Sequence, residues 1–347
     1  MKKILIAFLT VLLCLTAVSC ASQSNNPNQT GSPTGEESGS LVTAGETTPS
    51  IPVNVYTLKG PTGMGMAKLN DSADANQTAN RYLFTYASDP TQVQAALLNG
   101  DADIAAIPVN MAAALYNKTN GGVKIAAVNT LGVLYMLENG DTIHSVQDLK
   151  GKTVYATGQA STPEYILRHI LTQNGIDPDN DVEIIYKAEH SELATLMTSG
   201  DVVLGMLPEP NVTAVLSGNQ NVRIALNLTE EWNKVAENGS QLVQGVLVVR
   251  TAFAEAHPEA VTAFLDDYRA SVTFTNESPD EAAQLIEKYG IIPKAAVARK
   301  ALPNCNITFV TGDSMISMVQ DMLGVLYQAN PKSVGGTLPD ETLFFGK

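Results

Sequence analysis

The sequence predicts an α/β protein of two doubly wound lobes joined by two hinge strands. Three observations carry this. Strands alternate with helices along two stretches, the stretches repeat one another at an offset of about 100 residues, and strand-like segments flank the second stretch on both sides. Asn99-Gly100-Asp101, Ala102 to Ile107 and Pro108 stand 100 residues before Ser199-Gly200-Asp201, Val202 to Leu207 and Pro208. Upstream in the same register, Phe84-Thr85-Tyr86 matches Ile184-Ile185-Tyr186, and further back Val55-Tyr56 pairs with Val154-Tyr155 at an offset of 99. Agreement of pattern, turn residues and spacing over three successive elements points to duplication.

Each unit reads β-α-β-α-β. In the first, Val53 to Leu58 is a strand, Gly60-Pro61-Thr62-Gly63 a tight loop, and Met64 to Leu69 opens a helix. Tyr82 to Tyr86 is the second strand, and Thr91 to Leu98 an amphipathic helix stopped at Asn99-Gly100. Ile104 to Ile107 is wholly apolar, as a strand of a parallel sheet buried on both faces should be. The second unit assigns these roles to Thr153 to Ala156, Pro163 to Leu171, Val182 to Tyr186, Glu192 to Thr198 and Val202 to Leu207. Ala126 to Leu137 and Leu242 to Arg250 are the expected hinge crossings. Beyond Arg250 apolar residues recur at helical spacing (Val261, Phe264, Leu265, Tyr268, Val272; then Ala282, Leu285, Ile286, Tyr289), and these helices should pack on the first lobe. The expected lobes are 51–131 with 245–347, and 132–244. Ligands of such sheets sit at the strands' carboxyl ends, here the interlobe cleft.

The start of the chain speaks to compartment. Lys2 and Lys3 precede an apolar stretch, Ile4 to Val18, shorter than the roughly 20 apolar residues of a membrane span. With Ser19 this is the layout of a secretory signal, assigned to residues 1–19. Ala17-Val18-Ser19-Cys20 resembles a bacterial lipobox, which implies lipidation of Cys20 and a bacterial membrane anchor outside the cytoplasm; cleavage nearby with Cys20 idle is the alternative. Residues 21–50 are almost all Ser, Thr, Asn, Gln, Gly, Pro and Glu, too polar to bury a core, so 20–50 reads as lipidated cysteine plus tether. The formal charge of -14 argues against a nucleic-acid partner, and Cys305, the one body cysteine, excludes an intrachain disulfide framework there.

Leu58 to Leu69 (LKGPTGMGMAKL), Ala126 to Tyr135 (AAVNTLGVLY) and Tyr289-Gly290-Ile291-Ile292-Pro293 resemble the substrate-binding proteins of ABC importers, near the nitrate/sulfonate/taurine branch that also holds thiamine-pyrimidine binders. The resemblance covers the body from residue 51. It implies the type 2 periplasmic-binding-protein fold, closure about a hinge, a small-molecule solute, and docking of a monomer onto a permease with its ATPase, without cofactor or catalysis. It leaves the solute open, and related folds include a menaquinone-pathway enzyme and a thiamine-pyrimidine synthase, the alternative reading.

Candidate ligand-binding residues follow from strand ends. Gly60, Pro61, Thr62 and Gly63 place amides at a helix start, suited to an anionic or carbonyl group, or form a structural turn. Their repeat partners are Gly158, Ala160, Ser161 and Thr162; for Ser161 and Thr162, helix capping is the expected single role. Asn110 follows the third strand. Its counterpart region is Pro208-Glu209-Pro210-Asn211, where Glu209 would select an amine or aminopyrimidine donor if it faces the cleft; a solvated surface carboxylate is the alternative. Asn129, Thr130 and Gly132 lie at the first crossing, Gln244 and Gly245 at the second. Trp232 reads as packing more than ring stacking, Lys59 is the only cation in these loops, and Asp101 and Asp103 read as solvated turn carboxylates.

Other motifs fail. Gly151-Lys152-Thr153 lacks the first glycine of a phosphate loop, since Val146 stands there. Asp177, Asp179 and Asp181 mimic a calcium loop, but Val182 replaces its glycine and Ala188 its closing Glu, which leaves a helix-to-strand turn. His144, His169, His190 and His257 show no metal-ligand spacing.

Overall fold

A computed structural model describes residues 51–236 and 240–347. The signal assigned to 1–19, Cys20 and the tether to residue 50 lie outside the described residues.

The first stretch runs β1 (Pro52–Leu58), α1 (Pro61–Met64), α2 (Ala67–Asp74), β2 (Arg81–Ala87), α3 (Pro90–Asn99), β3 (Ile104–Pro108), α4 (Val109–Lys118) and β4 (Val123–Leu131). The second runs β5 (Leu134–Asn139), β6 (Thr153–Thr157), α5 (Thr162–Gln173), β7 (Glu183–Lys187), α6 (His190–Ser199), β8 (Leu204–Pro208), α7 (Asn211–Gly218), β9 (Val222–Asn227) and α8 (Leu228–Val235). The remainder holds β10 (Val243–Arg250), α9 (Thr251–Ala256), α10 (Pro258–Glu277), α11 (Pro279–Lys288), α12 (Ala295–Ala301), β11 (Ile307–Val310) and α13 (Gly312–Ala329).

Two mixed sheets result, ordered β11-β4-β10-β3-β1-β2 and β7-β6-β8-β5-β9. The repeat is visible in the pairing: β1 runs parallel to β2 with Val55 opposite Phe84, and β6 parallel to β7 with Val154 opposite Ile184. Helix α3 ends at left-handed Gly100 (φ 83°) and α6 at left-handed Gly200 (φ 88°), the conformation glycine adopts without steric cost. Inside each sheet one strand runs against the parallel ones, β10 between β3 and β4 and β5 between β8 and β9, and in the first sheet the edge strand β11 is antiparallel to β4 as well. The first sheet takes that strand from the returning chain, the second from the entering chain.

Several elements depart from expectation. The crossing expected as one segment, Ala126 to Leu137, is two strands in different sheets, broken at Gly132-Val133. The break is steric: a Cβ on Gly132 would lie 2.0 Å from Thr229 Oγ1 and 2.8 Å from Leu242 Cδ2. The other expected crossing, Leu242 to Arg250, is almost all β10, seated inside the first sheet between β4 and β3. The loop 60–63 is mostly the helical turn α1, which Pro61 favours at its first position by its fixed φ. β11 interrupts the helices after Arg250; it is an edge strand whose four residues carry too little periodicity to declare it.

The C-terminal helices pack as anticipated. Phe264 and Tyr268 of α10, with Ala282 and Ile286 of α11, join Val53, Val55 and Leu69 in one core. Helix α13 lies against both α4 and α5, its Met315, Val319 and Met322 sharing a cluster with Ile166 and Ile170. Asp103 corrects another expectation. It is 6% exposed, paired with Arg250 at 2.9 Å, and accepts from both nitrogens of Asn54, so it closes the solvent end of β3 instead of lying free in a turn. Asp177 to Asp181 do form the helix-to-strand turn, Asp179 tied to Arg168 and Asp181 to Lys150.

Substituting Gly132→Ala forces Thr229 or Leu242 to move and is expected to cost about 1–3 kcal/mol, as overpacking of a filled interior does. Denaturant unfolding checks it; a loss below about 0.5 kcal/mol, an ordinary surface effect, would show that the crossing has slack.

Candidate functional site

A cavity of about 430 Å³ opens where the carboxyl ends of β1, β3, β6 and β8 meet across the two sheets. Because the strands of each unit run parallel, the helix that follows each one starts at that edge, so α1, α3, α4, α5, α6 and α7 each bring at least one of their first residues to the lining. Helix starts carry unpaired amides and partial positive charge, which suits an acceptor or anionic group. Six prolines line the wall as well, Pro61, Pro90, Pro108, Pro163, Pro208 and Pro210. A proline has no N–H, so at each of these places the backbone offers an apolar ring in place of a donor. The result is an apolar pocket with few polar contacts.

The anticipated residues divide. Gly60, Pro61, Thr62, Asn110, Thr130, Gly158, Ser161, Thr162, Glu209, Gln244 and Gly245 line the cavity, with Lys59 exposed at its edge. Gly63, Asn129, Gly132 and Ala160 do not. Gly63 lies within α1 on the side packed against β1, where a Cβ would collide with Leu58 O. Asn129, wholly buried, sits a layer back: its amide donates to Thr62 O at 3.4 Å and supports the loop. Gly132 serves the crossing. Ala160, in the left-handed region (φ 57°), donates its N–H to Glu164 Oε2 and borders a separate cavity between α5 and α13. Gly245 permits the loop's approach, since a Cβ there would meet Asn129 Oδ1 at 2.5 Å and Thr62 Cγ2 at 2.8 Å.

Neither Ser161 nor Thr162 caps α5 through its side chain, contrary to expectation. The Ser161 hydroxyl turns back to Gly158 O at 2.6 Å, which closes the glycine turn. The Thr162 hydroxyl instead reaches across the cleft and donates to Asn110 Oδ1 at 3.0 Å. One hydrogen bond thus links the two strand-end loops. Glu209 is not a solvated surface residue: it is 2% exposed, and its carboxylate accepts from Thr213 N (3.1 Å), Thr213 Oγ1 (3.0 Å) and Asn304 Nδ2 (3.2 Å). Burial raises its pKa, partly offset by these hydrogen bonds. Trp232 is packed, 1% exposed, its ring centroid 4.8 Å from that of His169.

His190 is the residue that sequence reasoning missed. It begins α6, lines the cavity, and pairs through Nδ1 with the buried Thr157 hydroxyl at 2.6 Å. Burial lowers its pKa, with Glu189 acting weakly against that, so the ring is neutral near pH 7. The repeat held the signal: offset by 100, His190 matches Pro90, which begins α3 and also lines the cavity. Met111, likewise unforeseen, and Asn211, part of the expected counterpart region, follow the third strand of each unit.

The family model described as NMT1/THI5 like matches residues 84–282, more than half of the chain. No curated protein matches it. Among solved structures, an ABC transporter from Parabacteroides distasonis is similar at 25% identity, over 85% of this chain and 99% of that one, with a TM-score of 0.72. The periplasmic aliphatic sulphonate binding protein SsuA from Escherichia coli is 18% identical over 83% and 96% of the two chains (TM-score 0.67). The periplasmic nitrate-binding protein NrtA from Synechocystis PCC 6803 is 12% identical over 82% and 84% (TM-score 0.56). The last two carry the fold alone.

Because the folded state raises the Glu209 pKa, folding favours its protonated form, and stability should fall as pH climbs from the ordinary carboxylate range through that raised value. Glu209→Gln should remove this limb of the profile, read by denaturant unfolding across the range. An unchanged profile would place the titration elsewhere. Separately, Thr162→Val should remove about 0.5–1.5 kcal/mol, a typical net hydrogen bond, and should lose nothing further when Asn110→Ala is added; full additivity would show that the two do not interact.

Proposed function

The chain belongs to the NMT1/THI5-like family, and on that premise we propose that it is an extracytoplasmic solute-binding protein that captures a small organic molecule and hands it to an ABC importer. The observation that carries this is the cavity itself: about 430 Å³, walled by strand ends of both sheets, and bridged by Thr162 and Asn110. A ligand touching both walls stabilises the approach of the lobes by its differential affinity for the closed form, and a permease that reads the closed form is thereby told that cargo is loaded. The moving bodies we propose are 51–131 with 245–347, and 132–244. Capture needs no chemistry, and the site is read as a receptor, not an enzyme.

The lining narrows the cargo. Lys59 is exposed at the edge and His190 is neutral, so an anion would lean on helix-start amides. The second oxygen of Glu209, Oε2, accepts one hydrogen bond, from Thr213 N, and has capacity for another donor. The combination suits a largely apolar solute with an acceptor at one end and an N–H donor at the other. Gly60, Thr62, Asn110, Ser161, Thr162, His190, Glu209 and Gln244 are its proposed contacts. We further propose export by residues 1–19 and lipid anchoring at Cys20, with residues 21–50 as the tether.

A thermal-shift screen of the purified protein against sulfonates, nitrate, carboxylates and aminopyrimidines tests capture. A ligand near 100 times its dissociation constant adds about 2.7 kcal/mol, several degrees in a body of this size. His190→Ala and Asn110→Ala should each abolish the shift; a hit indifferent to both would move the site elsewhere. Cys20→Ser should release the protein from the membrane fraction; retention there would reject the anchor.

A further inference from the structure

Three consecutive residues between α12 and β11 touch the cleft-forming parts of both lobes. Asn304 Nδ2 donates to Glu209 Oε1 at 3.2 Å, and Asn304 O accepts from the Tyr135 hydroxyl of β5 at 2.9 Å. Asn306 Nδ2 donates to Gly132 O at the first crossing, while Asn306 O accepts from Leu131 N at 3.1 Å. Cys305, wholly buried, sets its Sγ 3.9 Å from Sδ of Met64, the last residue of α1. The segment therefore rests on the binding turn of the first lobe and holds the buried carboxylate of the second.

We propose that Asn304-Cys305-Asn306 is an interlobe clasp, and that Asn304 is a positioning residue which fixes the Glu209 carboxylate in the cleft wall and ties its orientation to the approach of the lobes. The inference deepens the solute-capture reading, whose site it concerns. A neutral amide at this place has a consequence a lysine or arginine would not. It orients Oε1 without cancelling the charge, so the carboxylate remains available to a donor on the solute. A buried carboxylate is costly unless hydrogen-bonded, and of its three donors Asn304 is the one supplied from the other lobe. Separating the lobes removes that donor, which favours the closed arrangement.

The groups facing Glu209 are few. Tyr135 of β5 and Cys305 have their pKa values pushed up, first by burial and then by the Glu209 charge, with Glu230 adding to the effect on Tyr135. Lys59 and His190 share the cavity, and Lys300 of α12 stands 3.5 Å from Ser217 of α7 at the outer edge.

The test exchanges donor for acceptor. Asn304→Asp sets two carboxylates against each other, and Asn304→Asp with Glu209→Gln restores one acceptor and one donor. Small-angle scattering of the purified protein reads the separation of the lobes without a solute, and circular dichroism reads folding. Asn304→Asp should show a larger radius of gyration than the wild type at about pH 7.5, and return to it at about pH 4, where carboxyls protonate. The double variant should match the wild type at both pH values. If Asn304→Asp unfolds at neutral pH, refolding in acid and rescue in the double variant report the same pairing. Wild-type scattering for Asn304→Asp at neutral pH, or a double variant no more compact than the single one, overturns the clasp. A flat solute screen would instead overturn the receptor reading and leave the scattering result standing.

Discussion

The architecture depends on a directional constraint: parallel strands joined by right-handed helical crossovers must all end on the same edge of their sheet. In each unit three such strands, β1, β2 and β3, then β6, β7 and β8, deliver their carboxyl ends and the following helix starts to one side. Bringing those two sides together makes a cavity walled by helix N-termini with no residue specially recruited. Anything bound there meets two bodies at once. Ligand affinity and lobe approach are therefore linked by construction, since every contact spanning the seam is lost when the lobes part.

The linkage is sharpened by where polar atoms were left. Six prolines strip backbone donors from the wall, so polar side chains supply much of what polarity remains there. A missing partner in such a pocket costs more than a good partner gains, because the orphaned group stays desolvated. Glu209 is the strongest instance. Thr213 satisfies it from its own helix, where the carboxylate also complements the amides of α7's first turn. Both oxygens are engaged, Oε2 by Thr213 N and Oε1 by Thr213 Oγ1 and Asn304 Nδ2, so the group that caps the helix also forms part of the cleft wall.

Much of this was legible in the sequence, and the reasons for the rest are specific. The repeat could be read because its turn glycines, Gly100 and Gly200, occupy backbone conformations that other residues reach only with strain. Eleven of the candidate residues line one cavity, because strand ends are fixed by topology before side chains matter. Gly63, Asn129, Gly132 and Ala160 do not line it: Asn129 stands behind the loop, Gly132 at the crossing, and Ala160 borders another cavity. A one-dimensional pattern gives a residue's distance from a strand end but not which side of the backbone it faces. Thr162 was read as a cap since capping is local, whereas its partner Asn110 is 52 residues away. Asp103 was misjudged similarly, its partner Arg250 lying 147 residues further on.

His190 shows what the repeat carries beyond matching residues. Its identity resembles nothing at Pro90, so a search for matching residues passes over it. A search for matching positions does not, because the duplication conserves geometry and frees chemistry. Where one copy keeps a proline and the other a histidine at the same helix start, the two walls of the cleft differ in what they offer a ligand, an apolar ring on one side and a neutral hydrogen-bonding ring on the other. That asymmetry, set in an otherwise symmetric frame, gives the two walls of the cleft different chemistry at equivalent positions.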